Sequence, residues 1–244
     1  HAALSVRAPA ADHPRIRDAW ASVAARLESD LGIHPPALAL LSAPRGTSPE
    51  ILVRRIVEAT VPMDALPDEL ERVARLHATD LLGLQEVELL LRGLREVAPA
   101  DVEAVVPRHL DLAGLRGVLA GLLDEGVPIT DLRAILGTLA VSAADSKDTG
   151  RLIEETRAGL RRVITHQVTG GTKHLVAVTV GHEVEEMIRS GVRQGERGQT
   201  LVLAPSIRAN IVTAAAHVGA DDVVLTSPEV RAPLRGLLAH LPGL

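Results

Sequence analysis

Leu115-Arg116-Gly117-Val118-Leu119-Ala120-Gly121-Leu122-Leu123-Asp124-Glu125-Gly126-Val127-Pro128-Ile129-Thr130-Asp131-Leu132-Arg133-Ala134-Ile135-Leu136-Gly137-Thr138-Leu139-Ala140 reads as two helices separated by a short link. The first runs from about Leu112 to Glu125, with Leu112, Leu115, Val118, Leu119, Leu122 and Leu123 on one side. That three-and-four spacing is one helical face. Gly126 closes it and Pro128 follows, the usual order at a helix C-terminus. Thr130 is placed to cap the second helix, which carries Leu132, Ile135, Leu136 and Leu139. Two helices joined by so short a link are expected to fold back on each other.

The surroundings of this pair differ on its two sides. Upstream, a helix from about Pro14 to Leu31 carries Ile16, Trp20, Val23 and Leu27 and ends at Gly32, before Pro35-Pro36. Ala37 to Leu41 and the β-branched run Ile51 to Val61 read as strands, with turn residues from Pro44 to Pro49 between them. Residues 1–63 are therefore expected to form a small α/β unit. Residues 64–148 read as helical, with one face at Leu70, Val73, His77 and Leu81, a break at Gly83, and a helix from Leu84 to Glu96. Residues 149–244 open with an amphipathic helix, Arg151 to Ile164, and then alternate. Strands at His174 to Val180, Leu201 to Ala204 and Val223 to Thr226 are separated by helices at Glu183 to Arg189 and after Ser206 and Ser227. That alternation predicts a mixed or parallel sheet with helices packed on it. The fold class is α/β plus α.

Composition excludes several chemistries. The chain has no cysteine, so there is no disulfide, thiolate zinc site or thiol nucleophile. Its net charge is −5 and its only aromatic residue is Trp20, which argues against nucleic acid as a partner. No run reaches the ~18 apolar residues of a membrane span. The ten histidines include no His-x-x-x-His and no His-Glu-x-x-His pair, so no metal and no cofactor is expected. Glu154-Glu155 and Glu185-Glu186 read as solvated helix faces. No catalytic constellation emerges. The chain opens His1-Ala2-Ala3-Leu4, with neither Met nor a signal pattern, and reads as a fragment.

The long central motif resembles the signature of the FlhA/SctV (FHIPEP) export-gate family of bacterial type III secretion. The family pattern is Leu-x-x-Val-Leu-x-x-Leu-Leu-x-Glu-x-Val-x-Ile-Arg-Asp-Leu-Arg-x-Ile-Leu-x-x-Leu-Ala, and this chain departs from it at Thr130, where the family carries arginine. The His77-Ala78 to Glu86-Val87 stretch, Val105-Val106-Pro107 and Leu225-Thr226-Ser227-Pro228-Glu229-Val230-Arg231 are similar to the family as well. Family members carry a large inserted subdomain for which only about Pro44 to Asp64 is available here. They also continue past Pro242, and their membrane-spanning N-terminal half is not represented.

The resemblance implies a ring-forming cytoplasmic domain, a nonamer, at the cytoplasmic face of the inner membrane. It implies a docking platform and not an enzyme. The implied partners are further copies of the chain, the secretion ATPase stalk protein, chaperone–substrate complexes and other export-apparatus components. Membrane contact would come only through the N-terminal half. Arg116, Glu125, Asp131 and Arg133 either cross a subunit boundary or cap and solvate their own helices. Arg208 and Arg231 are either stalk contacts or surface charges. A reading of another class is also open: a small α/β enzyme or phosphate-ligand-binding domain. Its site would be Gly170-Gly171-Thr172-Lys173 or the amides after Ser206. A P-loop needs strand, glycines, helix. The order here is helix, glycines, strand, which reads as a turn.

Overall fold

The computed structural model describes residues 3–172, 174–195, 198–219 and 222–239. They fall into two compact units, His1–Leu160 and Arg161–Leu244. The class is mixed α/β, as the patterning predicts.

The first unit opens with strand β1 (Leu4–Pro9), helix α1 (His13–Leu31) and strand β2 (Ala39–Ala43). β1 and β2 pair in parallel, so the chain between them must cross over, and α1 is that crossover. Strands β3 (Glu50–Val53) and β4 (Ile56–Thr60) complete a sheet of order β2-β1-β3-β4, with β3 antiparallel to both neighbours. β1 is central, and Leu4, Val6 and Ala8 are buried on it. Its one exposed position, Arg7, pairs with Glu50 directly opposite at 2.7 Å.

The expected single strand from Ile51 to Val61 is thus two strands. They are joined by Arg54 and Arg55, both in the left-handed region at φ 47° and 73°. Two positive φ values in a two-residue loop make the turn whose twist matches a hairpin. Asn-Gly would have announced it. Arginines do not.

The helical part of this unit comprises α2 (Leu66–Leu76), α3 (Ala78–Leu81), α4 (Leu84–Val97), α5 (Pro99–Glu103), α6 (Leu112–Asp124), α7 (Leu132–Asp145) and α8 (Thr149–Gly159). The expected face through Leu70, Val73, His77 and Leu81 breaks at His77, ahead of the break expected at Gly83, and α3 lies between the two. α2 packs on α1, and the contact is rimmed by charges. Arg26 Nε meets Glu71 Oε2 at 2.6 Å, and Arg75 reaches both Glu71 and Asp30.

α6 and α7 do not pack on each other as a closed pair. Both pack on α8, which arrives later in sequence and occupies the space between them. Small residues admit it: a methyl group at Gly121 of α6 would fall on Ile153 of α8, and one at Gly159 of α8 would fall on Thr138 of α7. The helix expected over Arg151 to Ile164 therefore stops at Gly159, and α8 belongs with the first unit.

The link between α6 and α7 has its own architecture. Gly126 at φ +68° lets Val127 N–H reach Leu122 O at 2.9 Å and Gly126 N–H reach Leu123 O at 2.9 Å. These two bonds satisfy the last carbonyls of α6. Asp131, and not Thr130, caps α7, because its carboxylate accepts from Ala134 N–H at 3.0 Å. The link then docks on the end of α1: Ile129 N–H donates to Leu31 O at 2.8 Å. At Gly32, φ is +77°, and a Cβ there would lie 2.5 Å from Thr130 N.

The second unit contains α9 (Arg161–Thr169), β5 (Ala177–Thr179), α10 (His182–Gly191), β6 (Val192–Gly195), β7 (Gly198–Leu201), α11 (Pro205–Ala215), β8 (Val223–Leu225) and α12 (Pro228–Leu238). β5 and β8 are parallel, as alternation demands. The strand expected at Leu201 to Ala204 lies earlier and is half of an antiparallel hairpin, β6–β7. The core gathers Ile188, Ile211, Val230, Leu234, Leu237 and Leu238. Ser206 does not cap α11, whose N-cap residue is Ala204.

Two glycines separate strain from space. Gly32→Ala adds a backbone clash to an unfavourable φ and should cost about 2–4 kcal/mol. Gly126→Ala, with open space around its Cβ position, should cost only about 1–2 kcal/mol. Urea denaturation of both variants measures the difference, and equal losses would remove the docking contact from the account.

Candidate functional site

Five of the six charged residues singled out in the sequence sit in or beside a terminal turn of their helices, and Arg116 reaches from within α6 to the end of α3. Arg116 projects from α6 to the end of α3. Its Nε donates to Leu82 O at 2.8 Å and its Nη2 to Thr79 O at 3.1 Å. A cation at helix-terminal carbonyls is favourably placed. Glu125, at the C-terminal end of α6, meets Arg157 of α8 at 2.8 Å. The two side chains are only 12% and 18% exposed. Asp131 caps α7, as described. Arg133, one residue into the first turn of α7, pairs with Asp101 of α5 at 2.6 Å, yet its side chain is 71% exposed.

Three of the four central charges therefore have work inside the subunit. Arg116 ties α6 to α3, Glu125 ties α6 to α8, and Asp131 terminates the link. Arg133 differs, since a surface ion pair with that much solvent around it holds little. Its guanidinium faces outward on a helix fixed by buried neighbours, Leu132 and Ile135. In the second unit, Arg208 is exposed in the first turn of α11 and Arg231 is half-buried in the first turn of α12.

The partners of these charges were not legible beforehand. Arg157 and Asp101 lie thirty or so residues away from Glu125 and Arg133, and nothing in local spacing pairs them. Glu185 is a further case. Read as a solvated acid, it reaches from α10 to the start of α12. Its Oε1 accepts from Ser227 N–H at 2.6 Å and from Thr226 Oγ1 at 2.7 Å. The Ser227 backbone bond, then the Thr226 hydroxyl, hold its carboxyl below the usual carboxylate range. Ser227 occupies the N-cap position, but its side chain makes no capping bond, and Glu185 serves in its place.

The alternative phosphate site fares differently. Gly170 and Gly171 form a turn at φ +57° and +80°. The amides there are engaged: Gly170 N–H with Gln167 O at 3.4 Å, Gly171 N–H with His166 O at 3.1 Å, and Thr172 N–H with Thr169 O at 3.0 Å. Amides already bonded cannot cradle a phosphate. Lys173 of the same string lies outside the described residues. Among the described residues, no group of three His, Asp or Glu side chains is placed to hold a metal. None of their helices is long and apolar enough to cross a membrane.

Comparison with known proteins gives a consistent set. The FHIPEP family matches residues 52–242. The flagellar biosynthesis protein FlhA of Bacillus subtilis (strain 168) is 34% identical over 191 residues, covering 75% of this chain and 28% of that protein. The chain thus spans well under a third of that relative's length. Among solved structures, the Chlamydia pneumoniae CdsV protein, in its complex with CdsO, superposes with a TM-score of 0.84 at 21% identity. The match covers 98% of this chain and 90% of that one. The nonameric SctV-C from EPEC gives 0.85 at 19% identity, covering 99% and 91%.

Two measurements follow from the geometry. Glu125→Ala leaves Arg157 without this carboxylate in a half-closed site and should lower stability by about 1–3 kcal/mol in urea titration. Glu185, whose folded-state pKa is depressed, contributes stability above its unfolded pKa and loses it as pH falls through the folded value. Thermal melts of wild type between about pH 5 and pH 3 should therefore fall more steeply than those of Glu185→Gln.

Proposed function

The chain belongs to the FHIPEP family, and on that premise we propose that it is the cytoplasmic part of a type III secretion export gate. In this reading it assembles as a nonameric ring at the cytoplasmic face of the inner membrane. The ring receives the secretion ATPase stalk protein, chaperone–substrate complexes and other export-apparatus components. It acts as a docking platform and performs no hydrolysis of its own. The observation that carries the reading is the likeness over nearly the whole chain to SctV-C, a protein solved as a nonamer.

Ring formation in this proposal uses α7. Its first turn presents Arg133 outward, anchored beneath by Leu132 and beside by Asp101. Arg116, Glu125 and Asp131 act one step back, holding the helix ends in place so that Arg133 has a fixed position. A rigid backbone presenting a solvent-exposed cation, paired only at the surface with Asp101, suits a reversible contact sensitive to salt. The stalk, in turn, would meet the second unit near the starts of α11 and α12. Arg208 is exposed there, and Arg231 is half-covered. The likeness to CdsV, solved together with CdsO, supports a protein partner on this fold.

Arg133→Glu tests the ring. The pair with Asp101 is a surface one worth about 0–1 kcal/mol, so the domain should melt within a few degrees of wild type. Sedimentation velocity should show assembly reduced by about tenfold or more in association constant. Unchanged assembly with an unchanged fold would remove Arg133 from the contact. Site-specific cross-linking from position 208 to the stalk protein tests the second contact, and a probe on the exposed face of α4 serves as the negative position.

A further inference from the structure

The second unit carries a cationic groove apart from the residues assigned above to the ring and the stalk. It has a volume of about 450 Å³ and is lined by Arg161, Arg162, Thr165, His166, Thr169 and the turn at Gly171-Thr172. Its floor is one side of α9, where residues four apart share a face. Arg162 and His166 form one such pair, and Arg161, Thr165 and Thr169 form the adjacent row. Its far wall is the glycine turn. The two left-handed residues, Gly170 and Gly171, fold the chain back so that Thr172 lies beside the end of the helix.

Charge is segregated along this stretch of sequence. The chain as a whole is net acidic, at −5. Yet from Thr156 to His182 there is no aspartate or glutamate at all, and Arg157, Arg161, Arg162, Lys173, His166, His174 and His182 all fall in that stretch. No side chain of the described residues bonds the guanidinium of Arg162 or the imidazole of His166. α9 has no fully buried residue, and none of its side chains enters the core cluster formed by Ile188, Ile211 and Val230. A helix that gives so little to its own core and exposes Arg162 and His166 one turn apart offers donors to an external anion.

The form of that anion follows from what the groove lacks. Its turn amides are engaged, so it offers no phosphate nest. Trp20 is the only Phe, Tyr or Trp of the chain and is not among the lining residues, so the groove has no indole or phenyl platform for a base. Membrane insertion asks for a broad apolar face, and α9 has only Val163, Ile164 and Val168. What it does offer is guanidinium and imidazole donors above an open trough, with the Thr165 hydroxyl between them. Those suit carboxylates spaced along an extended chain. We propose that the α9 groove docks an acidic peptide segment of a partner protein, held by Arg162 and His166. This stands apart from the export-gate reading, and either can fail alone.

The test is binding of fluorescein-labelled hexaglutamate to the 244-residue chain, followed by anisotropy at low salt. Saturable binding is expected, declining as salt is raised. Arg162→Glu should weaken it by about tenfold or more, and Arg162→Glu with His166→Ala further. Arg92→Glu, on the exposed face of α4 and outside the groove, should leave it unchanged. Circular dichroism confirms that each variant is folded. Absence of binding, or equal loss in Arg92→Glu, overturns the proposal. So does binding of phosphatidylglycerol vesicles or inorganic phosphate that competes fully with the peptide, since the site would then read a membrane or a free phosphate.

Discussion

A backbone hydrogen bond from Ile129 N–H to Leu31 O, beside the packing of α2 on α1, ties the link between α6 and α7 to the sheet-bearing start of the chain. Around it the packing leaves no room for a side chain at Gly32. The bond also fulfils a local need, because the last carbonyls of a helix must find donors. Here α1 finds one nearly a hundred residues further on. The link between α6 and α7 is thus fixed in space, and with it the directions in which both helices leave. α8 can fill the space between them only because that angle is held open. Arg116, Glu125 and Arg133 take their positions from the same frame.

The charges on this frame divide by exposure. Where solvent is nearly excluded, as for Glu125 with Arg157, a cation and an anion must stay together, because separating them strands a charge. Where solvent is abundant, as for Arg133, the pair with Asp101 can be exchanged for another partner at little cost. The distinction sorts structural charges from available ones better than sequence similarity does, because both kinds occur within the same conserved-looking motif.

Much of the fold was legible in the sequence, for physical reasons. Apolar residues at three-and-four spacing located α1, α4, α6 and α7, since burial requires that spacing. Gly126 before Pro128 marked the end of α6. The parallel pairing of β5 and β8 followed from the helices between them. What could not be read was long-range or exceptional. The Arg54-Arg55 turn uses residues that normally avoid positive φ. The cap at Asp131 competes with Thr130 one residue earlier, and either side chain is chemically able. Packing of α8 between α6 and α7 depends on contacts thirty residues apart. At the candidate sites, residue types were legible but partners were not. Glu185 looked like a solvated acid until the start of α12 was brought to it.

The position of α8 has a consequence for synthesis. α6 and α7 emerge from the ribosome first, splayed around a space that only residues 149–159 can close. Until those residues clear the exit tunnel, the two helices lack the element on which both pack.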